Sequence, residues 1–305
     1  MFNREIVMLV TLEIFSGRRN PSWMLSDKKA KELVDRVANR ALTLADAVDT
    51  DGALGFRGLV VSGTSDADNG GAVPSSFRIG GSATPDAQAL TAGHRALSAD
   101  ETADTVKWLL ATGAHAVGDT LAFAVHEEVE ATLQGLREAE PAAEAVEESD
   151  RDLGLSVAAC IIANTPYNPG YWNTPAVQPH NNCYNYAMNF RSDTFAQPGR
   201  ISGHPNGVMA CPQVANAANW DGCLAVCNGS NKNVALVIWP GVDYHWYRRH
   251  SQGFWGHKPG GTAARNVDNA GVLINGITRT PANCNRGPYT IFCGYRFSPT
   301  GMKVR

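Results

Sequence analysis

The chain has 305 residues, of which 44% are apolar and 18% are charged, and its formal net charge is −3. This apolar content allows a sizeable core. At this length we expect two domains, because single cores rarely grow beyond about 250–300 residues. The negative net charge and the lack of a Lys/Arg run argue against a nucleic-acid partner. Because no run of about 18 apolar residues is present, we expect no membrane-spanning helix.

The first residues predict a strand and not a leader sequence. Residues 1–15 carry one Arg before an apolar stretch that Thr11 and Glu13 interrupt, and they lack a small-residue cleavage site. Apolar residues alternate at positions 8, 10, 12 and 14, which is typical of a half-buried strand. The compartment stays open, since a cytoplasmic location and export without a leader both fit.

Residues 1–136 are predicted to form an α+β module. Ser26 is placed to cap a helix, residues 56–63 and 77–79 are candidate paired strands, and Ser98 with Glu101 has the spacing of a capping box. A further helix is expected at residues 119–133. No catalytic constellation is found in this module, so we expect a docking role for a protein partner.

Residues 137–152 are rich in acidic side chains and are predicted to be a linker. They divide the first module from a second α+β domain at residues 153–305, for which we expect an antiparallel sheet. Four prolines lie in residues 165–180, so we expect an extended covering segment there and not a helix.

Cys183 is predicted to lie in the first turn of a short helix, because Asn181 or Asn182 can cap it. A thiol at this position feels the positive end of the helix dipole, which favours the nucleophilic thiolate. The unpaired N–H groups of the same turn can stabilise an oxyanion.

Two histidines on a predicted hairpin are candidates for the base. Residues 251–253 suit a three-residue turn with Gly253 in the left-handed conformation. This register pairs Tyr247 with His257 and places His245 on the same face, diagonal to His257. One imidazole can then activate a nucleophile while the other orients it.

A helix-start cysteine and a histidine on a strand about sixty residues later, with a second polar residue on the next strand, resemble the papain-fold cysteine peptidases. The likeness covers residues of about 180–260. Among papain-fold enzymes, it is most specific to the NlpC-like bacterial cell-wall peptidases and amidases. It implies Cys183 as nucleophile, His245 as base and His257 as orienter, with Asp268 or Asn266 as alternative orienters.

The same resemblance implies hydrolysis of an amide or peptide bond through a thioester, without a metal or a cofactor. The substrate expected from it is a peptide or a cell-wall fragment. The residues around the proposed triad are the expected substrate contacts, namely Asn182, Tyr184, Trp246 and Trp255.

Two other interpretations stay open. Cys211, Cys223 and Cys227 with nearby His204 are a candidate zinc site, although their spacing lacks the usual paired knuckles. Alternatively, the second half is a non-enzymatic, aromatic-rich domain that binds carbohydrate or peptide and is stabilised by disulfides. All seven cysteines lie in this half, so at least one thiol stays unpaired.

Overall fold

A computed structural model places two compact units in the chain, and each is described by itself. The structure describes residues 7–44, 52–63, 73–81, 86–135, 160–162, 164–227 and 231–305. Unit 1 comprises Met1–Ile14, Asn20–Asp51 and Phe56–Arg137, and unit 2 comprises Phe15–Arg19, Gly52–Gly55 and Glu138–Arg305. The predicted acidic linker, 137–152, lies outside the described residues. Helices and antiparallel strands in both units confirm the mixed α+β class.

Unit 1 contains a five-stranded antiparallel sheet in the order β2-β1-β4-β5-β3. The side chains of β1 alternate between buried and more exposed positions, because successive residues of a strand point to opposite faces. The predicted strand at the N-terminus and the predicted pairing of β4 with β5 are confirmed. The strands are β1 (Met8–Glu13), β2 (Ser22–Leu25), β3 (Thr43–Leu44), β4 (Gly58–Ser62) and β5 (Ser76–Ile79).

The helices of unit 1 begin where the sequence supplies caps. The Ser26 side chain accepts from the Lys29 N–H, and Ser98 and Glu101 form the predicted capping box. The unit's helices are α1 (Asp27–Val37), α2 (Ala87–Thr91), α3 (Ala99–Thr112), α4 (Ala114–Val117) and α5 (Asp119–Leu133).

Unit 2 contains a four-stranded antiparallel sheet in the order β8-β7-β6-β9. Every residue of β6 is buried. The predicted hairpin register is confirmed, since Tyr247 pairs with His257 and Gly253 has a φ of 92° in the turn. The strands are β6 (Val234–Trp239), β7 (Asp243–Arg249), β8 (Trp255–His257) and β9 (Ile291–Arg296).

Short helices pack on this sheet and form the core of the unit. Residues of α7 and α8 share one buried cluster with side chains of β6 and β7, among them Leu236, Ile238 and Trp246. The predicted helix start at Cys183 is confirmed. The helices are α6 (Pro169–Trp172), α7 (Cys183–Ala187) and α8 (Cys211–Trp220).

The segment at residues 165–180 is not fully extended, so that prediction is wrong in part. Pro169 is the first residue of α6, and Pro179 lies in a 3-10 turn. Proline is compatible with a first helical turn, because the N–H it lacks has no partner there in any case. Outside the named strands, Leu224 bridges Phe297 and Leu273 bridges Val267.

Two disulfides cross-link unit 2. Cys160 is joined to Cys227, and Cys211 at the start of α8 is joined to Cys293 in β9. Within the described ranges, no helix combines the length and apolarity that crossing a membrane requires.

Candidate functional site

Cys183 is the first residue of α7 and is completely buried. The Asn182 side chain caps this helix by accepting from the N–H groups of Tyr184 and Asn185. The Cys183 sulfur lies 3.9 Å from the Tyr244 carbonyl oxygen. Burial and, next, the charge of Asp243 raise the pKa of the Cys183 thiol to about 12. Desolvation therefore outweighs the helix dipole, and the thiol is protonated at neutral pH.

The two hairpin histidines are hydrogen-bonded to each other. His245 Nε2 is 2.9 Å from His257 Nδ1, and His257 Nε2 is 2.9 Å from the Val267 carbonyl oxygen. Because a carbonyl only accepts, His257 Nε2 carries a hydrogen. Burial and then Arg265 lower the pKa of His257 to about 3, so the ring is neutral and its Nδ1 accepts from His245. A neutral His245 that donates through Nε2 has no hydrogen on Nδ1, so its Nδ1 is an acceptor.

The acceptor at His245 Nδ1 is hydrogen-bonded to the hydroxyl of Ser16. Ser16 belongs to a segment that we call the strap (Phe15–Arg19), which forms part of unit 2. Ser16, Cys183 and His245 are each 0% exposed. The hydroxyl therefore occupies the place beside the base that a substrate or a water molecule would need.

Asp243 holds the backbone of the strap. Its carboxylate accepts the N–H groups of Ser16, Gly17 and Arg18 at 2.6, 3.0 and 3.0 Å, and it also accepts the Tyr289 hydroxyl at 2.6 Å. Burial raises the pKa of Asp243, and these donors partly offset the rise by stabilising the charged form. Three consecutive N–H groups on one buried carboxylate fix the strap in a single conformation.

The Gly17 carbonyl of the strap is also held by hydrogen bonds. It accepts from Asn182 Nδ2 at 2.8 Å, from Gln197 Nε2 at 2.8 Å and from the Tyr244 hydroxyl at 3.1 Å. A Cβ at Gly17 would lie 2.4 Å from the Tyr244 ring, so only glycine fits here. The Asn182 amide and the Tyr244 hydroxyl are thus committed to the chain's own backbone and are not open to an oxyanion.

Of the three candidate orienters, His257 is hydrogen-bonded to His245. Asp268, the alternative, accepts the N–H groups of Ala270 and Val272 at 3.0 and 3.1 Å and forms an ion pair with Arg279 at 3.3 Å. Its carboxylate therefore organises its own loop. Asn266, the other alternative, contributes its carbonyl to Ile274.

The expected substrate contacts lie in the interior. Tyr184 and Trp246 are 0% exposed, with ring centroids 5.7 Å apart, and Trp255 is 4% exposed. Asn182 is fully buried, and its side chain caps α7 and donates to the Gly17 carbonyl of the strap. In this structure these four side chains build the core and offer no surface to a ligand.

The zinc interpretation is wrong. Cys211 and Cys227 are each in a disulfide, with Cys293 and Cys160 respectively, so neither can supply a thiolate to a metal. The remaining member of that set, Cys223, is buried, and burial raises the pKa of its thiol to about 11.

Two residues that shape the site were not assigned a role from the sequence. Asp243 carried a usable signal, because it lies two residues before His245 on the same face of β7. Ser16 carried none, since it is 229 positions from its partner His245 and only the fold brings the two together.

Most tryptophans of unit 2 are buried, and Trp220 is the exception. It is 61% exposed at the end of α8, and its ring stacks on that of His204 with centroids 4.0 Å apart and planes 7° from parallel. The two rings lie face to face, and we call this stacked aromatic pair the Trp220–His204 platform. Tyr171, 47% exposed, lies under the Arg191 guanidinium at 4.7 Å.

No known family model matches the chain, and no solved structure matches it. The resemblance to the papain fold therefore stays a prediction. A relative is 42% identical over 140 residues, which is 45% of this chain and 92% of the relative. It is named Insoluble matrix shell protein 1 and comes from the mollusc Ruditapes philippinarum. This finding overturns the assignment to a bacterial cysteine peptidase. The chain belongs to the family of Insoluble matrix shell protein 1.

Proposed function

We propose that this chain is a non-catalytic matrix protein whose disulfide-stabilised unit 2 binds a carbohydrate polymer. The observation that carries the proposal is the 42% identity to a protein named for a shell matrix, across 92% of that protein's length. Two disulfides add support, because disulfides form and persist outside the reducing cytosol, where a matrix is assembled. A docking role of unit 1 for a protein partner stays a prediction.

The closed state of the Cys183 centre supports a role without catalysis. Covalent catalysis needs a thiolate and a base that can reach it, but the Cys183 pKa is about 12 and Ser16 is bonded to His245. The hydrogen bonds from Ser16 through His245 and His257 to the Val267 carbonyl tie the strap, β7 and the following loop together. The geometry supports a buried polar clamp that stabilises unit 2.

The Trp220–His204 platform is the surface that we assign to the carbohydrate. A sugar ring has an apolar face of C–H groups that packs on an aromatic plane, so a flat and exposed indole suits it. The stacked His204 restricts the Trp220 side chain before binding, which lowers the entropic cost of ordering it. The buried tryptophans cannot contribute, as Trp239, Trp246 and Trp255 are at most 7% exposed.

Co-sedimentation with insoluble polysaccharide particles, chitin and cellulose in separate arms, tests the binding. We expect Trp220→Ala to weaken binding about two- to tenfold, from the roughly 0.5–1.5 kcal/mol that an aromatic stack contributes beyond buried area. Phe123→Ala is the matched control, because it removes another exposed aromatic, 73% exposed, from unit 1. Equal binding of the two variants contradicts the platform assignment.

The absence of catalysis is tested separately on the full chain. We expect no release of amine from peptide or amide substrates, and no difference between the wild type and His245→Ala in that assay. Amide cleavage that disappears in Cys183→Ser and in His245→Ala would refute a non-catalytic role.

A further inference from the structure

A cavity of about 340 Å³ lies beside the β7–β8 turn of unit 2. Its size falls at the lower end of ordinary small-molecule sites, which range from about 300 to 1,000 Å³. It is separate from the Cys183 centre and from the Trp220–His204 platform. Polar and cationic side chains dominate its lining, among them Asn164, Asn231, Lys232, Asn233, Arg249 and Ser251.

Backbone hydrogen bonds hold the walls of this cavity in place. The Arg249 N–H donates to the Asn233 carbonyl at 2.8 Å, and the Ser251 N–H donates to the Thr165 carbonyl at 3.0 Å. The Arg248 side chain adds a bond from Nε to Thr165 Oγ1 at 3.0 Å. The site is therefore largely preformed, which reduces the ordering cost on binding.

The charge of the cavity is unbalanced. Lys232 and Arg249 are both exposed, and none of the described residues in the lining is acidic. Across the part of the chain that the structure describes, neither cation has a carboxylate within ion-pair distance. This local positive charge contrasts with a chain of net charge −3. Two adjacent cations without a counter-charge attract an oxyanion, and the arginine fork can bind its oxygens bidentately.

His250 also lines the cavity. It is 5% exposed, its Nε2 bonds the Tyr186 hydroxyl at 2.7 Å, and backbone groups of Thr165 and Pro166 also act on the ring. The chain therefore holds this imidazole in place as a fixed part of the wall.

The neutral groups of the lining indicate a sugar and not a peptide strand. Asn164 and Asn231 at the rim offer an amide donor and acceptor, which match hydroxyl groups. A peptide that adds to a sheet needs a free strand edge, yet Arg249 pairs with Trp255 on one side and bonds Asn233 on the other. We propose that this cavity binds an anionic sugar, a ring that carries a carboxylate or sulfate beside free hydroxyls.

Calorimetric titration of the full chain at low salt tests this proposal. The probes are a heparin-derived tetrasaccharide, its desulfated form, which keeps only the carboxylates, and neutral cellotetraose. We expect the heparin tetrasaccharide to bind and cellotetraose to bind at least about tenfold more weakly. The desulfated probe distinguishes the two anions: binding equal to the parent assigns the carboxylate, and a loss of about tenfold or more assigns the sulfate.

The decisive variant removes both cations. Lys232→Gln with Arg249→Gln is expected to weaken binding about tenfold for each lost charged hydrogen bond, or about 100-fold together. Lys303→Gln with Arg305→Gln removes the same charge from exposed residues that do not line the cavity, and should leave affinity within about twofold. Trp220→Ala should also leave it unchanged, which separates this site from the proposed platform.

Four results would overturn the proposal. Two concern the sugars: failure of both charged tetrasaccharides to bind, and binding of cellotetraose as tight as that of the heparin tetrasaccharide. The other two are equal weakening in the two charge-removal variants, and binding of a hexaglutamate peptide that is tighter than that of the heparin tetrasaccharide. Each variant is first checked for an unchanged urea midpoint, so that a folding defect is not mistaken for loss of the site.

Discussion

Acidification is expected to destabilise unit 2 through two buried histidines. Burial lowers the pKa of His257 to about 3 and that of His250 to about 4, from an ordinary value of 6.5. Arg265 and Arg248 act in the same direction on the two rings. The unfolded chain therefore binds these protons at a higher pH than the folded chain. Stability is fully present above about pH 6.5 and is lost as the pH falls toward the folded values.

The size of this loss follows from the shifts. Between about pH 8 and about pH 5 each ring gains a proton in the unfolded state and stays neutral in the folded state. Integration gives about 2 kcal/mol for each histidine and about 4 kcal/mol for the pair. The contribution of Asp243 to stability changes with pH in the opposite direction, because burial raises its pKa. This contribution is the same in the wild type and in a histidine variant.

Urea unfolding followed by tryptophan fluorescence at several pH values measures the effect. The informative variant is His250→Gln, which keeps a hydrogen-bond partner for the Tyr186 hydroxyl and cannot titrate. We expect the loss between about pH 8 and about pH 5 to fall from about 4 to about 2 kcal/mol. A wild-type stability that is flat over this range, or an identical loss in the variant, refutes the assignment of these rings as buried and neutral.

Three further outcomes follow from the same contacts. The three unpaired thiols, Cys183 among them, should resist iodoacetamide in the native chain and react after unfolding, with all seven reacting after reduction; alkylation of native Cys183 contradicts its burial. Gly17→Ala should lower stability by about 1–3 kcal/mol by overpacking against Tyr244, whereas Gly207→Ala, which meets no atom within 4 Å, should not. Reducing both disulfides should cost about 4 kcal/mol for each, from loops of 67 and 82 residues, and a urea midpoint that reduction leaves unchanged speaks against their presence.

Local features of the chain were predictable from the sequence, because they depend on neighbouring residues. The caps at Ser26 and Ser98 and the helix start at Cys183 follow from side chains that bond backbone N–H groups two or three positions away. The same-face placement of His245 and His257 follows from turn length and the two-residue period of a strand. These rules act over a few residues and need no tertiary contact.

The chemical state of the site was decided by tertiary structure alone. Sequence placed Cys183 at a helix dipole, which favours a thiolate, but burial in unit 2 opposes the charge more strongly and raises the pKa to about 12. The strap reaches His245 from 229 residues away, and no local pattern could indicate that Ser16 would fill the space beside the base. Desolvation and long-range contacts are properties of the folded chain. Because of them, Cys183 and the two histidines, which have the spacing of a catalytic triad, form a buried and hydrogen-bonded polar clamp.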